Sequence, residues 1–398
     1  MAENRAPPDL SPPAGSPRPA KLTLQRYRLP LRRVFEHAAL RRDTSEGLLV
    51  QLELSDGTVG LGEGVPRPYV TGETVQSAIE VIREVYAARL ASENPLAGEP
   101  AQGSAYGVMH NAAWCACELA YLDGLARSAE AHLADYLGKL LQRPVARKIA
   151  VRAAGVVGAE SPREIRRGLR RMRWFGLRDF KVKVGLPGDR ENLLVCNDQL
   201  RRGLPVGRIT LRADANGAWS FEEALAACQW LRVYRVAALE QPLPKGDEAD
   251  LPPLREKAGL PLMLDESVAD YAGAERLAGA GAADYWNLRV SKNGGLLATL
   301  RLAQLAESQG VGLMLGCMVG ESGILSAAAR AFLLLVPRVR FVENSYGEFL
   351  LAEDLVNERT RFGYGGRLRP LYGPGLGVTL DSAAVERLAE RVAEIKLT

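Results

Sequence analysis

The sequence predicts an α/β protein, a closed eight-stranded (β/α)8 barrel following an N-terminal α+β domain. Three observations carry that expectation. From about residue 148, short apolar runs alternate with helical stretches at the roughly 30-residue spacing of a βα unit. The runs are IAVRAAGVV, DFKVKV, RITLRAD, VAALE, PLMLD, DYWNLRV, VGLMLG and RVRFVEN, and eight such units close a barrel where fewer leave an open sheet. The chain, at 398 residues, is also long enough for a barrel and a second unit.

Residues 1–20 (MAENRAPPDLSPPAGSPRPA) are rich in Pro, Ala and Ser and have no apolar stretch, so a disordered tail is expected rather than a signal peptide. Residues 21–147 form the α+β domain: LTLQRYRLPL and LLVQLELSDGTVGLGEG are expected strands, with a turn at Ser55-Asp56-Gly57. Helical patterns follow in TVQSAIEVIREVYAARL and AYGVMHNAAWCACELAYLDGLA. The barrel occupies residues 148–370, with FEEALAACQWLRVY, LLATLRLAQLAESQG and SGILSAAARAFLLLV among its helices; the eighth unit is complete if a helix follows the last strand. Residues 371–398 read as a short strand and then a helix, packing back on the N-terminal domain.

Composition removes several function classes. A net charge of +4 is too small to argue for nucleic acid or an anionic membrane as partner. The densest basic stretch, Arg163, Arg166, Arg167, Arg170, Arg171 and Arg173, falls on an amphipathic helix and reads as its solvated face. Cys115, Cys117, Cys196, Cys228 and Cys317 lie in apolar runs without zinc or disulfide spacing, which suits a reduced, cytoplasmic compartment. No apolar run is long enough to cross a bilayer. The three histidines, His37, His110 and His132, all precede the barrel.

The chemistry is carried by the strand ends. The second barrel strand ends in Lys181-Val182-Lys183, the third in Asp214-Ala215-Asn216 and the fourth in Glu240-Gln241-Pro242. The fifth ends in Asp265-Glu266-Ser267, the sixth runs into Ser291-Lys292-Asn293-Gly294-Gly295, and Gly316 to Ser322 follow the seventh. Strand C-termini of a barrel converge on one face, so these groups are expected around one cavity. Any one acid there would do as a helix N-cap. Three from successive units, Asp214, Glu240 and Asp265, suit a hard divalent cation, Mg²⁺ with Mn²⁺ as the alternative. Lys183 and Lys292 flank them. A cation beside a substrate carboxylate stabilises the enediolate formed when the neighbouring carbon loses its proton, and a lysine with a lowered pKa can serve as the base. A Schiff-base lysine would leave the three acids without a role.

These residues resemble the muconate-lactonizing subgroup of the enolase superfamily over nearly the whole chain from residue 21. The Lys-x-Lys of 181–183, Asp214-Ala215-Asn216, Glu240-Gln241-Pro242, Asp265-Glu266-Ser267 and Lys292 ahead of a Gly-Gly pair carry the resemblance. Gly62-Glu63-Gly64, the run from Tyr69 to Thr74 and Pro374-Gly375-Leu376-Gly377-Val378 look like parts of the family's capping domain and C-terminus. The resemblance implies Lys183 and Lys292 as the acid/base pair and Asp214, Glu240 and Asp265 as Mg²⁺ ligands. It further implies Lys181 on the substrate carboxylate and Asn216 and Glu266 supporting the metal. Capping-domain loops choose the substrate in this family, which points to Phe35, Glu36 and His37 and to residues 66–71. His37, an isolated loop histidine, suits a plain surface role slightly better than a substrate contact. The absence of histidine after residue 132 excludes the mandelate-racemase variant, which needs a barrel His–Asp dyad.

The run Gly316-Cys317-Met318-Val319-Gly320-Glu321-Ser322, with Glu321 near substrate or metal, looks like dipeptide epimerases and N-acylamino acid racemases. The acidic Asp-x-Asp expected of dipeptide epimerases after the eighth strand is replaced by Glu343-Asn344-Ser345-Tyr346, and Tyr346 to Asp354 look more like cycloisomerases. The expected function is therefore a Mg²⁺-dependent epimerase, racemase or cycloisomerase acting next to a small-molecule carboxylate, in a homo-oligomer. A dehydratase of the o-succinylbenzoate synthase type and a non-catalytic carboxylate-binding barrel are the alternatives.

Overall fold

The computed structural model describes residues 12–37, 40–96, 110–158 and 161–397, and the side chains of residues 33–42, Phe35 and His37 among them, lie outside that description. The N-terminal domain is an antiparallel sheet of β1 (Pro19–His37), β2 (Leu40–Leu54) and β3 (Val59–Gly64). The expected turn joins β2 to β3: Asp56 Oδ1 accepts from Thr58 N at 2.9 Å, and Gly57 takes φ +84°, a left-handed conformation open to a residue without Cβ.

The sequence of β3, VGLGEG, explains how the sheet meets its helix. Alternation puts Gly60, Gly62 and Gly64 on one face, and the helix Asn111–Ser128 lies directly on it. A Cβ on Gly60, Gly62 or Gly64 would stand 2.0, 1.9 or 2.1 Å from the carbonyl oxygens of Ala120, Ala116 and Ala112. Ala112, Ala116 and Ala120, four residues apart, form the matching stripe of the helix. Backbone therefore packs on backbone, and no residue larger than glycine fits.

The barrel strands are β4 (Gly155–Val157), β5 (Asp179–Lys183), β6 (Thr210–Asp214), β7 (Leu239–Glu240), β8 (Leu262–Leu264), β9 (Tyr285–Leu288), β10 (Gly312–Leu315) and β11 (Val339–Val342). Each falls inside one of the eight apolar runs and pairs in parallel with its neighbours in chain order. Ala153 bridges in parallel to Val342, and Ala154 N donates to Val342 O at 2.8 Å, which joins the first strand to the last. The eighth unit's helix is a single turn, Gly347–Leu350.

Strand alternation separates two environments. Phe180, Val182, Leu211, Ala213, Leu239, Leu264 and Leu288 belong to the large apolar core, beneath the helices. The inward positions begin with a small apolar plug of Ala238, Met263, Met314 and Phe341, with Tyr285 against it. One step toward the strand C-termini, the inward positions become Lys181, Arg212, Glu240, Asn287 and Glu343, all buried.

The C-terminal tail corrects an expectation. Instead of strand then helix, Ser382–Leu388 is a short helix and Ala389–Lys396 is a strand, β12, antiparallel to β1 with Lys21 opposite Lys396. AERVAEIK is rich in helix formers, but β1 has a free edge there, and ladder hydrogen bonds override local preference. Its charged, largely exposed side chains suit an edge strand. The chain is also ordered before residue 21, because β1 begins at Pro19. The six arginines of the helix Pro162–Trp174 are all exposed, as its amphipathic pattern predicts. None of the described helices is long and apolar enough to cross a membrane.

Candidate active site

Parallel register sets the first contacts at the mouth. Lys183 lies opposite Asp214, and Asp214 opposite Glu240, so their inward side chains share one level. Lys183 Nζ donates to Asp214 Oδ2 at 2.7 Å and to Asn216 Oδ1 at 2.5 Å. Lys181 Nζ reaches Asp214 Oδ2 at 3.0 Å, Glu240 Oε2 at 3.2 Å and Glu343 Oε2 at 2.7 Å. An ammonium has three N–H groups, so each has an acceptor here and Lys181 ties three carboxylates together. Burial opposes the charge, but Asp214, Glu240 and Glu343 hold the Lys181 pKa above the ordinary lysine value. Burial likewise opposes ionisation of Asp214, and Lys181 and Lys183 hold its pKa well below the usual carboxylate range.

Lys292 stands on the far side. β9, which leads to it, is four strands from β5 in an eight-stranded barrel, hence diametrically opposite. Its fully buried Nζ donates to Asp265 O at 2.6 Å, Asp265 Oδ1 at 2.9 Å and Asn287 O at 2.7 Å. Burial, and next the guanidinium of Arg289, push its pKa well below that of a free lysine. Arg289 itself is in contact with Asp265 Oδ2.

The expected metal ligands are all buried, but they are not equally placed. Asp214 and Glu240 meet at Lys181, whereas Asp265 is turned to Lys292 and Arg289. Among the described residues, no three His, Cys, Asp or Glu side chains stand as a group that holds an ion. The donor chemistry nevertheless fits a hard cation. Glu266 Oε2 is buried without a hydrogen-bond partner among the described residues. Burial, then the charges of Asp214 and Glu240, raise the Glu266 pKa. Asn216, held at φ +46°, links the two sides by donating to Glu266 Oε1 at 3.2 Å.

Three residues at this level, Arg212, Asn287 and Arg289, escaped the strand-end reading, and Glu343, noted there only in place of an acidic motif, joins them. Arg212 Nη2 binds Glu343 Oε1 at 2.6 Å with its guanidinium over the Phe341 ring, 4.7 Å from the centroid. Asn287 donates to Glu240 Oε1 at 2.8 Å, and Arg289 contacts Asp265. Glu343 carries both Lys181 and Arg212, which hold its pKa down against burial. Counting in twos along each strand finds them: Arg212 precedes Asp214 by two, and Asn287 follows the inward Tyr285 by two.

Glu321 lies in the loop after β10. Its carboxylate accepts from Met318 N and Asn344 Nδ2, both at 3.0 Å, and so braces its own loop. Burial, then the nearby Glu63, push its pKa well above the carboxylate range. Tyr346 also turns to the scaffold, donating to Ala154 O. Asp354 Oδ1 accepts from Gly323 N at 2.9 Å, at the start of the helix Gly323–Leu335.

A capped (β/α)8 barrel with opposed lysines and acids at its C-terminal mouth is the architecture of an enzyme site. Comparison with known proteins agrees. Residues 164–384 match the family model described as Enolase C-terminal domain-like. Muconate cycloisomerase 1 of Pseudomonas putida is 31% identical over 362 residues, covering 86% of this chain and 90% of that one. The hydrophobic dipeptide epimerase of Enterococcus faecalis is 27% identical, over 76% of this chain and 83% of its own. The solved structure of the N-succinyl Arg/Lys racemase from Bacillus cereus superposes with a TM-score of 0.80 at 23% identity, covering 95% and 99% of the two chains. The chain belongs to the enolase superfamily, among its muconate-lactonizing-type isomerases.

Proposed function

We propose that this isomerase moves the proton on the carbon next to a substrate carboxylate, with Lys183 and Lys292 on opposite faces of that carbon and Mg²⁺ held by Asp214, Glu240 and Asp265. The observation that carries the reading is the diametric placement of the two lysines, each anchored to an acid of the triplet, Lys183 to Asp214 at 2.7 Å and Lys292 to Asp265 at 2.9 Å. Bound Mg²⁺ would supply positive charge to the substrate carboxylate and so ease loss of the neighbouring proton. Lys183 moves that proton at one face and Lys292 at the other. Asn216 orients Lys183, and the carbonyls of Asp265 and Asn287 orient Lys292. Arg212, Glu343 and Lys181 keep the cavity floor in one arrangement, since each charge has its counter-charge in place.

A specific observation bears on the substrate. A free ammonium on the substrate needs an acid to receive it, and Glu343, at the eighth strand, is already taken by Lys181 and Arg212. This favours acids without a free amine, either N-acylamino acids, as the racemase's name indicates for that relative, or unsaturated diacids, as the cycloisomerase's does. The test is a panel of N-acylamino acids, dipeptides, muconate-type diacids and succinylbenzoate-type acids in D₂O with Mg²⁺, followed by proton NMR. Deuterium uptake next to the carboxylate, or ring closure, is expected with an amine-free acid. Turnover of free dipeptides alone would refute the substrate class, and no reaction with any acid would refute the isomerase chemistry on this panel.

A further inference from the structure

Residues 66–71 were expected to choose the substrate, yet the Arg67 side chain is buried and turned elsewhere. Its Nη1 donates to Glu46 O and Pro66 O, both at 2.8 Å. Its Nη2 donates to Ser45 Oγ at 2.8 Å and to Val319 O, across the domain seam, at 3.1 Å. Ser45 Oγ in turn donates to Gly320 O at 2.8 Å. The approach is so close that a Cβ on Gly320 would lie 2.3 Å from Ser45 Oγ, and Gly320 has φ +80°. Only a glycine with this backbone lets β2 reach the barrel loop.

That loop, residues 316–322, is fixed along its length. Met318 N is held by Glu321, Val319 O by Arg67, Gly320 O by Ser45, and Ser322 by Glu63, which accepts from Ser322 N at 2.8 Å and from its hydroxyl at 2.6 Å. The loop then meets the site: Met318 Sδ lies 3.9 Å from Arg289 Nη1, and Arg289 contacts Asp265. At its start, a Cβ on Gly316 would lie 2.4 Å from Asn287 Oδ1, and Asn287 holds Glu240.

We propose that Arg67 is a positioning residue, a latch from the N-terminal domain that fixes the loop after β10 and through it the Arg289–Asp265 side of the cavity. A guanidinium suits the task because its fixed fork serves several carbonyl oxygens at once, which a lysine's single nitrogen does not reproduce. Substrate contact at the mouth is then set partly by a residue that does not touch substrate.

The experiment compares wild type with Arg67→Ala, Arg67→Lys and Ser45→Ala by hydrogen–deuterium exchange of the whole protein, a readout that needs no substrate. The expected result is exchange about tenfold or more faster at the amides of Met318, Glu321 and Ser322, with the amides of β6 at their wild-type rate. Arg67→Lys should resemble Arg67→Ala more than wild type. Should Arg67→Ala fail to fold, Ser45→Ala decides alone, since it removes the latch's hydroxyl and leaves the guanidinium in place. Unchanged exchange at the three amides, or acceleration spread equally over the barrel strands, overturns the latch. A second arm rests on the isomerase reading: on an acid that wild type converts, the variants should raise KM about tenfold and leave kcat within about twofold. A matching fall in kcat with unchanged KM overturns the positional role. If wild type converts no acid, that reading fails while the exchange arm still decides the latch.

Discussion

Two sets of buried carboxylates divide the work of this protein. At the barrel mouth, Asp214, Glu240, Asp265 and Glu343 face ammonium and guanidinium groups. In the N-terminal domain and its seam with the barrel, Glu73 and Glu118 take backbone N–H groups, Glu63 adds the Tyr27 and Ser322 hydroxyls to them, and Asp123 adds the guanidinium of Arg127. Glu73 accepts from Ala112 and Ala113, Glu118 from Leu297, Glu63 from Ser322 and Leu325, and Asp123 from Leu61 and Leu376. Three of these partner sets are the first turns of helices, where unpaired N–H groups favour an acceptor. The pKa directions separate accordingly. Side-chain cations overcome burial for Asp214 and Glu343 and lower their pKa values, whereas burial prevails for Glu63, Glu73, Glu118 and Asp123 and raises theirs. Lysine and arginine side chains balance the first set, and backbone N–H groups donate to most of the second. The first set suits chemistry and the second suits assembly.

The strongest test of that contrast is at the lysines. Lys183→Ala and Lys292→Ala should each lower net turnover by at least about 10³-fold, within the span expected of a lost acid or base. On a racemising substrate, one variant should still exchange the proton of one enantiomer with D₂O and the other that of its mirror image. Near-normal turnover in both variants would place the chemistry elsewhere.

Glu343→Gln probes the mouth from the acid side. It leaves Lys181 and Arg212 buried with reduced counter-charge, and a loss of about 3–5 kcal/mol is expected from urea unfolding. A loss below about 1 kcal/mol would mean that the pair is solvated and that the floor is not a fixed network.

The seam responds to pH instead. Glu118, fully buried, has its pKa raised from 4.5 to about 7. A raised carboxyl pKa means that the folded state holds the proton more tightly. The contribution is therefore fully present below pH 4.5 and is lost as pH rises through about 7. Glu118→Gln should flatten the stability profile across that window by up to roughly 3 kcal/mol, and parallel profiles for variant and wild type would show that Glu118 does not titrate there.

The smallest expected effect is steric. Gly62→Ala should cost about 1–3 kcal/mol, because its Cβ would lie 1.9 Å from Ala116 O. Gly57→Ala meets no atom within 4 Å, so it reports the cost of its left-handed φ alone, roughly 1 kcal/mol. Equal losses in the two would remove the packing argument for the β3 glycines.

Much of the barrel was legible in the sequence because its parallel strands are buried on both faces and stand out as apolar runs between helices. The strand-end motifs were legible for a related reason: each charged group interrupts such a run at its C-terminal end. Arg212 and Asn287 were missed because they lie inside the runs, where only the side-chain alternation gives them away. β12 was misread because AERVAEIK carries a local preference for helix, and the free edge of β1 that recruits it is some 370 residues away in sequence. The partner choice of Asp265, the engagement of Glu343 by two cations and the inward turn of Arg67 were likewise set only by the tertiary structure. Residue type and strand period determine which groups reach the mouth. Which of them pair depends on distances between strands and across the domain seam, which no local pattern encodes.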